Sequence, residues 1–208
     1  MPARMRALLL AVLLAGAAAA PAQETMPDAL VRSITDDVAA ALKRDKAMQA
    51  LDTGKLAELV EARILPHFDF RRTTQIAMGA YWRHATPEQQ EQLTREFRAL
   101  LVRTYSSALA SYRDQTIEVR PLRMRPGDTE VTVRSLVRQA GAEPVQIDYD
   151  MERTASDWKV YDVRVGGISL VATYRTAFAE EVRNHGVDGL IQVLAAKNRN
   201  ATKVSVRT

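Results

Sequence analysis

The chain contains no cysteine. That absence excludes a disulfide framework, a thiolate metal site, a cysteine nucleophile and lipidation at a processed cysteine. Histidine is scarce: His67, His84 and His185 lie on three separate segments, without the close spacing of a metal motif such as H-E-x-x-H. There is no G-x-S-x-G elbow and no glycine-rich phosphate loop. Gly166-Gly167 lacks the flanks of such a loop and reads as a joint between two elements. An excess of one charge is also missing. The 29 Lys and Arg against 25 Asp and Glu give a formal +4, and only +2 without Arg4 and Arg6, too little to argue for nucleic acid. Basic clusters such as Arg71-Arg72 and Arg120, Arg123, Arg125 read as solvated surface.

Long apolar runs are confined to the first residues. Arg4 and Arg6 precede a small or apolar run, Ala7 to Ala20, followed by Ala-Pro-Ala at 20–22. This is the pattern of a cleavable signal peptide over residues 1–22. The run falls well short of the roughly 20 residues that a membrane-spanning helix needs. Cleavage before Gln23 leaves 186 of the 208 residues, enough for one well-buried domain without metals or disulfides. That domain is expected over 23–197, with a polar, basic, disordered tail at 198–208.

What is present is apolar periodicity. Leu30, Ile34, Val38 and Leu42 recur every four residues after Pro27-Asp28, which predicts an amphipathic helix. Leu56, Leu59, Val60 and Ile64 predict a second, stopped near Leu65 because Pro66 disfavours helical geometry in the residue before it. Asp69 is placed to cap a short helix from Phe70 to Met78, which Gly79 ends. Thr86-Pro87-Glu88-Gln89 combines an N-cap, a proline at the first helical position and a capping-box glutamine. The long helix it opens carries Leu93, Phe97, Leu100, Leu101, Thr104, Tyr105, Ala108 and Tyr112 on one face.

After Asp114 the period drops to two. Ile117 and Val119, then Val131, Val133 and Val137, then Val145, Ile147, Tyr149 and Met151 alternate inward, and Thr132, Arg134, Gln146, Asp148 and Asp150 form a solvated face. Trp158 to Val165 makes a fourth strand of a meander. Past Gly166-Gly167 a helix is expected from near Ser169, with Ile168, Val171, Tyr174, Phe178 and Val182 on one side. His185-Gly186 breaks it before a last short helix with Val187, Leu190, Ile191 and Leu194. The predicted class is α+β, a four-stranded antiparallel sheet covered on one face by a layer of helices.

The residues alone leave the space between sheet and helices open to two readings, and they favour a filled core. Inward Val, Leu and Tyr look the same around a ligand as around each other. Asp162 is the one carboxylate inside an apolar strand, where burial demands partners. Hydrogen bonding to nearby backbone or an arginine is the expected role, and acid–base chemistry there is the enzymatic alternative.

Two stretches carry a more specific signal. FDFRRTTQIAMGAYWRHATPEQQEQLTREFRALLVRTYSSAL, residues 68–109, and DWKVYDVRVGGISLVATYRTAF, residues 157–178, together resemble the MlaC family of periplasmic phospholipid carriers, also called toluene-tolerance auxiliary proteins. The resemblance covers nearly all of the chain after the signal pattern and is weakest before Leu51 and after Lys197. It departs in having Gly-Gly at 166–167, where one glycine flanked by a non-glycine is expected.

The resemblance reverses the preference for a filled core. It implies an apolar cavity between helices and sheet that encloses the acyl chains of a glycerophospholipid, the cargo, with no cofactor, metal or covalent chemistry. It further implies a periplasmic monomer, outside the cytoplasm and without nucleic acid. Such carriers move lipid between an outer-membrane lipoprotein complex and an inner-membrane ABC transporter with an MCE-domain component, which maintains outer-membrane lipid asymmetry. Exposing two chains of roughly 15 methylenes to water costs on the order of 24 kcal/mol, so a surface groove is insufficient cover. The implied lining is Tyr81 and Trp82; Leu100, Leu101 and Tyr105; Val133, Ile147 and Tyr149; and Val163, Val165, Ile168, Val171 and Tyr174. An enzyme or a chaperone or adaptor with the same cavity, or a carrier of another lipid such as a hopanoid, are the alternatives. Headgroup, number of chains, transport direction and partner surface are not legible.

Overall fold

A computed structural model describes residues 25–44, 53–110 and 115–205. The expected signal peptide and Tyr112 lie outside the described residues. The order is α1 (Pro27–Arg44), α2 (Thr53–Arg63), a 3-10 turn (Leu65–His67), α3 (Phe70–Met78), a second 3-10 turn (Gly79–His84), α4 (Pro87–Ala110), β1 (Thr116–Val119), β2 (Glu130–Arg138), β3 (Val145–Arg153), β4 (Trp158–Val165), β5 (Ile168–Ser169) and α5 (Ala172–Ser205).

The helix boundaries follow local chemistry. Pro66 ends α2 in a 3-10 turn, and the Asp69 carboxylate accepts from the Arg72 amide at 2.8 Å to start α3. At α4 the capping box closes in both directions. Gln89 N–H donates to Thr86 Oγ1 at 3.2 Å, and Thr86 N–H donates to Gln89 Oε1 at 3.0 Å. The helix runs 24 residues, about 36 Å at 1.5 Å per residue.

The strands form one antiparallel sheet in the order β1-β2-β3-β4-β5. The fifth strand corrects the expected count of four. Gly166-Gly167 does not lead straight into a helix; both residues have positive φ, 57° and 83°, and close a two-residue hairpin of the kind that glycine favours. Ile168 therefore pairs with Val165 on the sheet instead of joining the helix face. A bulge at Tyr161 shifts the register, so that Asp150 faces Asp162 and Met151 faces Val160. The helix after the hairpin breaks at Gly186 (φ 72°, ψ −179°), as the pattern predicts, then continues to Ser205, where an unstructured tail was expected from 198. Asn198 is held to Glu96, whose backbone and side-chain oxygens accept from its amide.

Two cores result. One joins α3, α4 and α5 through Met78, Trp82, Leu93, Phe97, Leu100, Val171, Phe178, Leu190 and Leu194. At its centre the Phe97 ring meets Tyr174 and Phe178 edge-on at 5.0 and 4.9 Å between centroids. The other packs α1 on the inner sheet face through Leu30, Val31, Val119, Val133, Met151, Trp158 and Val160. The Arg32 guanidinium donates to Val119 O at 2.8 Å and holds α1 across β1.

The cap and the core differ in expected worth. Thr86→Ala should cost about 1 kcal/mol, whereas Phe97→Ala should cost about 3–5 kcal/mol. Urea unfolding of the two variants beside the parent checks the ranking; equal midpoints would show that α4 is not held mainly by its buried face.

Candidate functional site

The two cores leave unfilled space between them. A cavity of about 230 Å³ is lined by Val60 and Ile64 of α2, Leu65, Phe68, Phe70 and Thr73, Leu101, Val102, Tyr105 and Ser106 of α4, Tyr161, Asp162 and Val163 of β4, and Leu170 and Val171. A smaller cavity, about 160 Å³, lies under α1. Val31, Ile34, Thr35, Val38, Ala39 and Leu42 face Ile64, His67, Phe68, Ile117, Tyr149 and Val160 across it.

Of the residues the sequence nominates, Leu101, Tyr105, Val163 and Val171 stand on the wall of the larger cavity, and Tyr149 on the smaller. Tyr81, Trp82, Leu100 and Tyr174 pack into the core around Phe97, and Val133 is wholly buried in the other core. Ile147 is half-buried and lines neither cavity. Val165 and Ile168, on the hairpin, are 37% and 64% exposed and line neither cavity. The 60–70 segment is what pattern reading missed. Ile64, Leu65, Phe68 and Phe70 cluster around a proline-stopped helix end, and apolar residues at such an end, beside the capping Asp69, are the available signal.

Asp162 puts one carboxylate on the larger cavity's wall. It is 8% exposed. Its Oδ1 accepts from the Val163 amide at 2.8 Å and the Val171 amide at 3.3 Å, and its Oδ2 accepts from Ser169 Oγ at 2.5 Å. Ser169 Oγ in turn accepts from the Ala172 amide at 2.8 Å, capping α5. Burial pushes the Asp162 carboxyl above its ordinary range, while the bonds from Ser169, Val171 and Val163 pull the other way. Across the cavity, burial, with the neighbouring Tyr174 and Asp162, pushes the Tyr105 phenol up to about 12. Both oxygens of Asp162 are thus committed to holding the hairpin against the start of α5.

Asp148, expected on a solvated face, is 7% exposed. Gln146 Nε2 donates to both its oxygens, and the Arg164 guanidinium spans Asp150 at 2.9 Å and Asp148 at 3.9 Å. Among the described residues no group of three His, Asp or Glu is placed to hold a metal.

A carboxyl raised in the folded state binds its proton more tightly there than in the unfolded chain. Asp162 should therefore lower stability as pH rises from about 4, the unfolded value, up to its folded value, with no further change above it. Asp162→Asn should remove that fall. The difference between parent and variant urea midpoints across the acidic range tests this, and a constant difference would refute it.

The family model described as MlaC protein matches residues 32–196. The protein named intermembrane phospholipid transport system binding protein MlaC, from Haemophilus influenzae, is 24% identical over 171 residues, 81% of this chain and 80% of its own length. Toluene tolerance protein ttg2D of Pseudomonas putida is 28% identical over 164 residues, 78% of this chain and 75% of its own. Among solved structures, a phospholipid-binding protein from Ralstonia solanacearum, determined in complex with a phospholipid, is 43% identical with a TM-score of 0.76. That match covers 85% of this chain and 98% of the other. With a family match that runs from α1 to the last turns of α5, the chain belongs to the MlaC family.

Proposed function

We propose that this protein is a phospholipid carrier that encloses acyl chain in the cavity between α2, α4 and β4. The observation that carries the reading is the cavity itself. Its wall is almost wholly aliphatic and aromatic, and its one carboxylate is already satisfied by Ser169 and two amides. Each methylene so covered gains about 0.8 kcal/mol. The phospholipid in the Ralstonia structure, and the transport role in the name of the Haemophilus relative, support the same reading.

No covalent step belongs to this function: the Val163 and Val171 amides and Ser169 Oγ give the Asp162 carboxylate a structural role at the start of α5. The carrier works in the periplasm after signal cleavage, with no cofactor. Its partners are an outer-membrane lipoprotein complex and the MCE-domain component of an inner-membrane ABC transporter, and its work maintains outer-membrane lipid asymmetry. Of the residues nominated from sequence, Leu101, Tyr105, Val163 and Val171 touch the lipid.

Leu101 gives the cleaner test, because it is only half-buried whereas Val171 is 3% exposed and belongs to the core. Leu101→Glu should place a charge among hydrocarbon and empty the cavity. Organic extraction of the purified variant should then recover little phospholipid beside the parent; recovery at the parent level would overturn the assignment.

A further inference from the structure

Ile64 and Phe68 stand between the two cavities and line both of them. The backbone at this partition is held. Phe68 forms a parallel bridge with Val160, and the Asp69 amide donates to Val160 O at 2.9 Å. The side chains are less confined: both are half-buried, while Trp158 and Phe97 in the two cores are 1% and 0% exposed. The Phe68 ring stacks on Phe70, 5.7 Å between centroids at 18°. A different Phe68 rotamer would break that stack and join the two cavities, which meet at this residue.

The volumes decide what such a passage is for. A dry protein cavity of about 150 Å³ holds one benzene, which sets a scale of roughly 25 Å³ per carbon. On that scale the 230 Å³ cavity takes about nine carbons and the 160 Å³ cavity about six. A chain reaching the middle of a bilayer has roughly 15 carbons. The larger cavity alone falls short by about the content of the smaller. The smaller cavity is also suited to hydrocarbon: burial and the nearby Lys159 lower the pKa of His67, so its imidazole stays neutral there.

We infer that the cavity under α1 is the distal acyl subsite of this carrier, and that Ile64 and Phe68 determine how long a chain the protein encloses. The inference rests on the carrier reading above. The first part of the chain lies against Leu101, Val163 and Val171. Its terminal carbons pass Phe68 and end among Val31, Val38 and Tyr149.

Ala39 lines the smaller cavity and no part of the larger, so Ala39→Phe fills the distal end alone. Phe68→Ala removes the partition. Parent and both variants, checked for fold by circular dichroism, are incubated with vesicles of phosphatidylcholines bearing short, medium and long saturated chains, then repurified. Mass spectrometry reads the bound lipid. Ala39→Phe should lower the ratio of long to short chains several-fold relative to the parent, and Phe68→Ala should hold or raise it. An unchanged chain-length profile in both folded variants overturns the distal subsite, as does loss of all lipid from a folded Ala39→Phe. A parent that takes up no lipid overturns instead the carrier reading itself.

Discussion

At β4 the sheet edge is closed by a single stretch of irregular chain. The Asp69 amide donates to Val160 O at 2.9 Å, and Thr73 Oγ1 donates to Tyr161 O at 2.9 Å. The first bond holds the 64–70 segment against the sheet and the second holds the first turn of α3 there, between α1 and the rest of the helical group. The bulge at Tyr161 supports the same arrangement, because it turns Asp162 toward Ser169 and the start of α5. Two cores and the space between them follow from that placement.

Empty space is costly. At about 24 cal/mol per Å³, a 230 Å³ cavity left dry costs on the order of 5 kcal/mol, comparable to the whole net stability of a small domain, about 5–15 kcal/mol. The aromatic cluster at Phe97 and the reciprocal cap at Thr86 and Gln89 stabilise the helical group without help from the cavity wall. Cargo that binds the folded chain adds to stability by mass action. Part of the cohesion thus lies away from the cavity, although Val171 belongs both to the Phe97 core and to the cavity wall.

Much of the architecture was legible because its signals are local. Asp69, Thr86, Pro87 and Gln89 mark helix starts through bonds to their own first turns. Alternation in 130–153 marks strands whose inner residues Val133 and Met151 are wholly buried. Gly186 breaks α5 where the pattern changes. The hairpin at Gly166-Gly167 was missed for an equally local reason: two glycines permit both a joint and a tight turn, and the turn wins through pairing of Ile168 with Val165. That pairing lies outside what helical spacing can reveal.

The candidate site was legible only in outline. Periodicity says that Leu101, Val133 and Tyr174 point inward, and it is silent on what they meet. Tyr174 meets Phe97, Val133 meets the α1 core, and Leu101 meets open space. By itself the sequence determined the element types, their caps and their inward faces, because those depend on backbone geometry within a few residues. Only the tertiary structure decided which inward residues fill a core and which line a cavity, because that depends on how closely segments distant in sequence approach. The segment from Ile64 to Phe70, held at β4, sets that approach.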